Sequence, residues 1–403
     1  MENQTIVVLG SGVQGLTSAL LLLHQGAKKV VIIANASVAS YDKKDSCFAS
    51  PKAGANWQTF AGNDERLQEY DEATYYTLWS LSFLPQCGIM RLNGFQFFDE
   101  KPQDFTHPWY ARFVKNYAYA TPHDLPPSKK FGIKYETVTM NVPKYLAWLT
   151  SRVKAMGGTF VFKNLNHWED ALKDVNANIV INCTGLGSLK LGGIEDKDLY
   201  PVRGQVILVH APQVQRTIGS ALSLGNYRGS QSEAESKVTY IIPREDGIVI
   251  LGGTYQKGNG SMNIDQTTAQ EIMERCVAVC PELVVNGKLP DIVEHSVGLR
   301  PARYGDCRLD SQYLSTCLVI LRLFVICKSV ANLCLSETST GKEILFVNNY
   351  GHGGYGYQSS WGCAQNVVRM VRRAVGLSQD DKILTKVLKE TIGGSTAARE
   401  AKL

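Results

Sequence analysis

The chain opens with two apolar runs separated by a helical pattern. Residues 6–9 form a short apolar run, and Leu16, Leu20 and Leu23 then recur three or four positions apart. The run predicts a buried strand, and the spacing predicts a helix with one apolar face. A second apolar run at residues 30–33 follows. Together these segments predict a strand–helix–strand unit.

Three glycines lie between the first strand and the helix. In the pattern G-x-G-x-x-G, Gly10 makes the turn, Gly12 lets a pyrophosphate approach, and Gly15 lets the helix pack on the sheet. The acidic residue that often binds the ribose is replaced by Ala34 and Asn35. Asn35 can still accept a hydrogen bond, but its presence weakens a nicotinamide interpretation. A tight turn without function is the structural alternative to a dinucleotide site.

A second glycine-rich segment lies at residues 349–358, where four glycines alternate with aromatic residues. Glycine lacks Cβ, so its backbone can lie against a flat ligand. Taken with the first motif, this segment predicts that both ends of the chain meet at one nucleotide cofactor. The packing is typical of a flavin site.

The composition is that of a globular protein large enough for two lobes, with 403 residues, 44% hydrophobic and 20% charged. A net charge of +5 without a basic run favours no nucleic-acid partner. No signal peptide opens the chain, and its ten cysteines include no C-x-x-C pair. These features suggest reduced thiols in an intracellular protein. Cys276 and Cys280 are four residues apart on a predicted helix, but without accompanying ligands we favour core packing over a metal site.

Several further segments, with the two glycine motifs, resemble the D-amino-acid oxidase family, which includes D-aspartate oxidases. In chain order they are residues 49–57, 181–187, 202–205, 240–244, 252–255, 297–303 and 351–358. They follow the family's order over nearly the whole chain, so the resemblance is specific.

The resemblance implies an α/β fold, in which a Rossmann-like FAD-binding lobe is interleaved with a substrate lobe built on a large antiparallel sheet. The FAD-binding lobe would comprise residues 1–60, 145–205 and 295–385, and the substrate lobe residues 61–144 and 206–294. Apolar runs at residues 205–209, 238–242 and 248–251 agree with strands in the middle of the chain. The implied residues of the non-covalent FAD site are Gly10, Gly12, Val13, Gly15, Asn35, Ser50, Gly54, Asn56, Thr184, Gly185, Gly353, Gly354, Tyr355, Gly356, Tyr357 and Gln358.

An amino-acid substrate presents a carboxylate that requires a planar, permanently charged partner. A guanidinium group meets this need. By the resemblance, Arg300 is the carboxylate clamp, Tyr240 adds a phenol hydrogen bond, and Tyr255 and Gln358 line the same pocket. The structural alternatives are a surface ion pair for Arg300 and sheet packing for the two tyrosines.

No histidine or carboxylate in the matched segments stands out as a general base, and His352 is interpreted as shaping the cofactor loop. This fits the family, in which hydride leaves the α-carbon for FAD and catalysis is chiefly positioning and electrostatics. The resemblance implies that a D-amino acid and O2 become a 2-oxo acid, ammonia and hydrogen peroxide.

Substrate preference depends on few positions. Tyr255 stands where mammalian-type D-aspartate oxidases tend to carry Arg, which favours neutral D-amino acids. D-aspartate oxidation is the alternative, because Arg228 or Lys237, in the expected lid at residues 222–237, could supply a second cation; a solvated loop charge is the other interpretation. Glycine or sarcosine oxidation is more remote. A nicotinamide dehydrogenase would need the acidic residue that this chain lacks. A flavin-binding protein without catalytic activity would leave Arg300 unexplained.

Two segments have no part in this chemistry. Residues 314–336 are largely apolar and include three cysteines, but they are too short, with Arg322 too central, for a transmembrane helix. They are interpreted as an inserted strand pair, a contact in a homodimer, or translated intron. The polar tail at residues 393–403 ends in Ala401, Lys402 and Leu403, which resemble the S-K-L peroxisomal address. Peroxide production gives this signal a reason, so we expect an import receptor as partner and a peroxisomal location; a frayed tail is the alternative.

Overall fold

The computed structural model describes residues 1–41, 48–103, 105–220, 237–316, 342–380 and 382–392. Its strands are β1 (Thr5–Leu9), β2 (Lys29–Ala34), β3 (Ile89–Phe98), β4 (Ala118–Tyr119), β5 (Phe131–Met140), β6 (Thr159–Phe162), β7 (Ile179–Asn182), β8 (Leu199–His210), β9 (Arg216–Ser220), β10 (Lys237–Pro243), β11 (Ile248–Thr254), β12 (Gln256–Lys257), β13 (Asp291–Arg303), β14 (Arg308–Ser315) and β15 (Glu343–Tyr350). Its α-helices are α1 (Val13–His24), α2 (Glu65–Leu81), α3 (Val142–Ala155), α4 (Gln266–Val279), α5 (Ser360–Ala374) and α6 (Ile383–Ile392).

The first sheet has six strands in the order β14-β15-β7-β1-β2-β6, all parallel to their neighbours except β14. Strand β1 lies inside the sheet, where Val8 pairs with Ile32 of β2 and with Ile181 of β7. Helix α1 connects β1 to β2 and packs against α3 and α5. The predicted strand–helix–strand unit is confirmed, because the apolar runs are the buried inner strands of a parallel sheet.

The second sheet has nine strands, and almost all of its neighbouring pairs are antiparallel. The predicted strands at residues 205–209, 238–242 and 248–251 lie in β8, β10 and β11. Helix α4 packs on this sheet, and Cys276 and Cys280 are buried in the core between them. The predicted α/β fold with a Rossmann-like part and a large antiparallel sheet is therefore confirmed.

The strands are distributed along the chain in an interleaved way. Every strand of the first sheet falls within residues 1–60, 145–205 or 295–385. Strands β8 and β13 pair along twelve positions and run across the predicted limits near residues 205 and 295. The exact limits of the two lobes stay a prediction.

The predicted insertion at residues 314–336 begins too early. Leu314 and Ser315 belong to β14, where they pair with Ile344 and Glu343 of β15. The backbone N–H of Thr316 also donates to the carbonyl of Lys342 at 3.1 Å. Residues 317–341 lie outside the described residues, as does the tail at residues 393–403.

The described residues contain neither a candidate membrane-spanning helix nor a candidate metal-binding cluster. None of the helices in these ranges combines the length and apolar character needed to cross a membrane. Within the same ranges, no three His, Cys, Asp or Glu side chains are grouped so that they could hold a metal ion.

Candidate active site

A cavity of about 730 Å³ takes its walls from both sheets and from the loops between them. The predicted site residues in its wall are Gly10, Gly12, Val13, Asn35, Ser50, Gly54, Asn56, Thr184, Gly185, Tyr240, Tyr255, Arg300, Gly353, Gly354, Tyr355, Gly356, Tyr357 and Gln358. Gly15 is not among the wall residues. A single cavity thus brings together segments from across the chain.

The turn between β1 and α1 depends on close backbone contacts. Gly10 has φ of +102°, and a Cβ there would lie 2.6 Å from the carbonyl oxygen of Cys183. A Cβ on Gly15 would lie 2.0 Å from the carbonyl oxygen of Gly10. Gly15 therefore packs the helix on the strand behind the wall, which is the packing role predicted for it, rather than contacting a ligand.

The loop after Ser50 is fixed to the start of α1. The backbone N–H of Val13 donates to Ser50 Oγ at 3.0 Å, and Ser50 begins a short 3₁₀ turn that ends at Lys52. The N-terminal end of α1 carries the positive end of the helix dipole into the cavity wall. This arrangement suits an anionic group such as the diphosphate of a dinucleotide.

The two ends of the chain meet at this turn, as the two glycine motifs predict. Gln14 Nε2 donates to the carbonyl of Gly356 at 2.8 Å, and Asn349 Nδ2 donates to Gln14 Oε1 at 3.3 Å. Tyr357 Oη donates to the carbonyl of Ser50 at 2.9 Å. Sequence reasoning missed Gln14; an amide side chain in the first turn of the helix was the available signal.

The third glycine turn is held by its own side chains. Thr184 Oγ1 donates to Asn182 Oδ1 at 2.8 Å and shares a hydrogen bond of 2.7 Å with Ser188 Oγ. Asn182 ends β7, next to β1 in the first sheet. The turn therefore lies at the same sheet edge as Gly10, where parallel α/β sheets bind ligands.

The wall has an uneven charge distribution. Among the described residues it contains Lys52, Lys163, Lys190 and Arg300 but no Asp or Glu. Lys163 also pairs with Asp174, which lies outside the wall. A concave surface with one sign of charge attracts an oppositely charged ligand. The two phosphates of FAD and the carboxylate of an amino acid both fit this requirement.

Arg300 projects from β13 into a well-defined set of contacts. Its Nη1 donates to the carbonyl of Thr254 at 3.0 Å, and its Nη2 donates to Tyr240 Oη at 3.4 Å. The guanidinium carbon lies 5.6 Å from the centre of the Tyr255 ring, within cation–π range. Three of the four residues predicted for the substrate site, Arg300, Tyr240 and Tyr255, therefore lie together.

Two glycines make room for this cluster. A Cβ on Gly204 would lie 2.2 Å from Arg300 Nη1, and a Cβ on Gly252 would lie 2.0 Å from the Tyr240 ring. Gly204 is in β8, beside β13, and Gly252 is in β11, opposite Tyr240 in β10. Both glycines belong to segments that resemble the family, but the sequence predicts no role for them, because their contacts are made between strands.

The two tyrosines are held in their neutral forms. Burial raises the pKa of Tyr240 and of Tyr255, and it outweighs the nearby Arg300 charge, which lowers both values. A neutral phenol keeps its proton and can donate it in a hydrogen bond. Tyr240 is therefore equipped to donate to a carboxylate held by Arg300.

The remaining candidate residues of the substrate site have other partners. Gln358 lines the cavity, but its Nε2 donates to buried Asp71 at 3.1 Å. His352 is buried in the wall and interacts with Cys307. Lys237, proposed as a second cation, forms an ion pair with Glu271 at 2.9 Å and is not in the wall. Arg228 lies outside the described residues.

A Rossmann-like sheet, glycine turns at its edge and a cationic cavity that ends at an arginine–tyrosine cluster define the class of flavin-dependent oxidoreductases. Comparison with known proteins gives the family. The chain belongs to the DAO family of FAD-dependent oxidoreductases, whose model matches residues 5–370.

Individual relatives agree with this assignment. The chain is 32% identical to a D-amino-acid oxidase of Fusarium vanettenii, covering 94% of this chain and 100% of the relative. It is 31% identical to a D-amino-acid oxidase of Schizosaccharomyces pombe, covering 94% and 99%. Among solved structures, glycine oxidase from Bacillus cereus superposes with a TM-score of 0.63 at 15% identity, covering 95% of this chain and 98% of that one. At that identity the similarity shows the fold alone.

Proposed function

We propose that this protein catalyses the FAD-dependent oxidative deamination of D-amino acids, with a preference for neutral side chains. The observation that carries the proposal is the placement of Arg300, Tyr240 and Tyr255 in the same cavity as the glycine turns. The reaction would convert a D-amino acid, O2 and water to a 2-oxo acid, ammonia and hydrogen peroxide. The names of the two relatives support this choice.

The protein's own contribution is to bind and orient the substrate. Arg300 would form a bidentate pair with the carboxylate, since its planar fork is already held by Thr254 and Tyr240. Tyr240 would donate to the same carboxylate, and the Tyr255 ring would cover the guanidinium. FAD, when bound, supplies a two-electron acceptor that is reoxidised by O2. Holding the α-carbon in a fixed direction is the main rate contribution expected of these residues.

Part of the cavity wall favours an uncharged substrate side chain. Tyr255 is aromatic, and Val206 and Ile242 add apolar surface. Lys237, the described candidate for a second cation, is engaged by Glu271. An acidic side chain would therefore lose solvation without gaining a charge partner from these residues.

A substrate panel tests the proposal. Purified protein would be assayed for peroxide with neutral D-amino acids, D-aspartate, glycine and sarcosine, with the L-enantiomer of each chiral substrate as the matched control. We expect the highest kcat/KM with a neutral D-amino acid and no turnover of L-enantiomers. Peroxide from glycine or sarcosine alone would reject the D-amino-acid assignment, and a preference for D-aspartate would reject the neutral one.

Two further properties are part of the proposal. Ala401, Lys402 and Leu403 would direct the protein to peroxisomes through an import receptor, supported by the peroxide chemistry and the resemblance to S-K-L. The protein would form a homodimer, supported by the exposed apolar side chains of Val285, Leu289, Ile292 and Val293, which lie close together in sequence. Light scattering measures the second property; a monomer at micromolar concentration would reject it.

A further inference from the structure

One buried carboxylate connects three of the segments that surround the cavity. Asp196 lies between the third glycine turn and β8, and its relative exposure is 8%. Its Oδ2 accepts hydrogen bonds from Arg303 Nε at 2.9 Å and from Tyr350 Oη at 2.8 Å. Its backbone N–H donates to the carbonyl of Ser188, in the third glycine turn, at 3.0 Å. Asp196 therefore links β13, β15 and that turn.

Two of these partners adjoin parts of the proposed site. Arg303 ends β13, three residues after Arg300 of the clamp. Tyr350 ends β15, lines the cavity, and precedes Gly351, where the cofactor loop (residues 351–358) begins. The Asp196 carboxylate thus holds the ends of two strands, of which one carries the clamp and the other leads into the cofactor loop.

The clamp strand and the cofactor loop are also in direct contact. The backbone N–H of Gly353 donates to the carbonyl of Pro301, the residue after Arg300, at 2.8 Å. A Cβ on Gly351 would lie 3.0 Å from the Cβ of Arg303, so this close approach needs a glycine. Because the contact leaves little free space, a shift of either strand end changes the position of Arg300 relative to the loop.

The carboxylate of Asp196 is in its charged form at neutral pH. Burial is the largest influence on its pKa and raises it. The hydrogen bonds from Arg303, Tyr350 and the backbone N–H of Asp198, with the charge of Arg303, together outweigh burial, so the pKa of Asp196 is lowered. Hydrogen bonds to a charged acceptor are stronger than those between neutral groups. The two strand ends are therefore joined through a strong acceptor.

A neighbouring carboxylate provides a contrast. Asp198 accepts a hydrogen bond from Nη2 of the same arginine, Arg303, at 2.8 Å. The side chain of Asp198 is 59% exposed, whereas that of Asp196 is 5% exposed. An exposed ion pair contributes little to stability, but removing one partner of a buried pair is costly. Since the two carboxylates share a partner and differ in burial, Asp198 serves as a matched control.

We propose that Asp196 is a positioning residue for hydride transfer, because it fixes the clamp strand against the cofactor loop. The inference rests on the proposed function, in which Arg300 holds the substrate carboxylate and the loop lies against FAD. Loss of the link would let Arg300 move relative to the loop, so the α C–H bond would point in another direction. A displacement of about 1 Å lowers the rate of a reaction between positioned groups by about 100-fold.

The test is Asp196→Asn in the full-length holoenzyme. Asparagine has the same shape but no charge and a single acceptor oxygen, so either the two side chains at Oδ2 or the N–H of Asp198 must lose a partner. We expect the rate constant of anaerobic flavin reduction by a neutral D-amino acid, per bound flavin, to fall by about 10-fold or more. An α-deuterated substrate confirms that C–H cleavage is measured. The visible circular dichroism of the bound flavin, recorded without substrate, should also change.

The control Asp198→Asn should match the parent protein in both measurements. Parent-like flavin reduction and dichroism in Asp196→Asn would overturn the inference even where its yield or Tm falls, since that pattern indicates a purely structural role. If Asp196→Asn does not fold, Tyr350→Phe removes one of the two bonds at Oδ2 and should slow flavin reduction, and parent-like behaviour of that variant would equally overturn the inference. A parent protein that no D-amino acid reduces would instead refute the proposed function, while the dichroism comparison would still test Asp196.

Discussion

An alanine at position 204 should disable the carboxylate clamp without changing any of the side chains proposed to contact substrate. The new Cβ would lie 2.2 Å from Nη1 and 2.5 Å from Cζ of Arg300. Ordinary contacts between heavy atoms begin at roughly 3.5 Å, so the guanidinium must move by about 1 Å or more. That movement breaks its alignment with the Thr254 carbonyl, which accepts its hydrogen bond at 3.0 Å.

The expected loss in kcat/KM for Gly204→Ala is about 100-fold. Moving a substrate-positioning group by about 1 Å lowers the reaction rate by about this factor. Losing the whole ion pair between Arg300 and the substrate carboxylate would cost about 3 kcal/mol, which also corresponds to roughly a 100-fold loss in kcat/KM. The flavin absorbance should be unchanged, because the three atoms nearest the added Cβ all belong to Arg300 and none belongs to the glycine turns.

The assay is peroxide formation against the concentration of a neutral D-amino acid, with flavin content measured in the same sample. Gly260→Ala is the matched control, because no atom lies within 4 Å of its added Cβ. Combining Gly204→Ala with Arg300→Ala should add little to the loss from Arg300→Ala, since both changes act on one interaction. A single Gly204→Ala variant within about 3-fold of the parent in kcat/KM would refute the clamp geometry, given that 1 Å is expected to cost about 100-fold.

Three other changes give separate expectations. Arg300→Ala should lower kcat/KM by about 100-fold or more while FAD stays bound, because only the substrate's charge partner is removed; unchanged kinetics would contradict this. Gly12→Val should yield protein without flavin, because a Cβ there lies 2.9 Å from Ser50 Oγ and the larger side chain would displace the turn; a fully yellow preparation would count against it. Removing residues 401–403 should leave activity intact and move a tagged protein from peroxisomes to cytosol, as seen by imaging, and unchanged peroxisomal signal would reject the tail as the address.

Replacing residues 317–341 by a short turn is the fifth test. Thr316 and Lys342 are already hydrogen-bonded at the end of the β14–β15 pair, so a hairpin turn can join them directly. Changing the loop length alters the closure entropy by only about 0.6 kcal/mol per doubling. We expect the flavin spectrum and turnover to be preserved, measured beside the parent protein. Loss of flavin from the shortened chain would show that the segment is needed for the fold.

The sequence was most informative where contacts are local. Gly10, Gly12 and the helix that follows them form one continuous motif, so the dinucleotide turn could be predicted without the rest of the fold. The predicted role of Arg300 came from resemblance, and the structure adds the bonds that orient it. Gly204 and Gly252 could not be given roles, because each makes space for a side chain on a neighbouring strand, and strand register is not evident from one sequence.

The start of the insertion shows the same limit. Leu314 is followed by an apolar run in sequence, and pattern alone assigned it to that run. In the structure it pairs with Ile344, a partner thirty residues later in the chain. Composition changes gradually along a strand, whereas the pairing that ends a strand depends on a distant segment.

The hydrogen bond between Gln14 and Gly356 also has a consequence for biosynthesis. Its partners are 342 positions apart, and at about 5–20 residues per second the ribosome needs roughly 20–70 s to complete that interval. During this time helix α1 lacks α5 and strand β7 lacks β15, against which they pack in the finished protein. The nascent chain therefore exposes the face of α1 that α5 later covers until the last part of its synthesis. A nonsense mutation before residue 343 removes both late elements, so its product should be degraded as an unfolded chain rather than accumulate as a smaller flavoprotein.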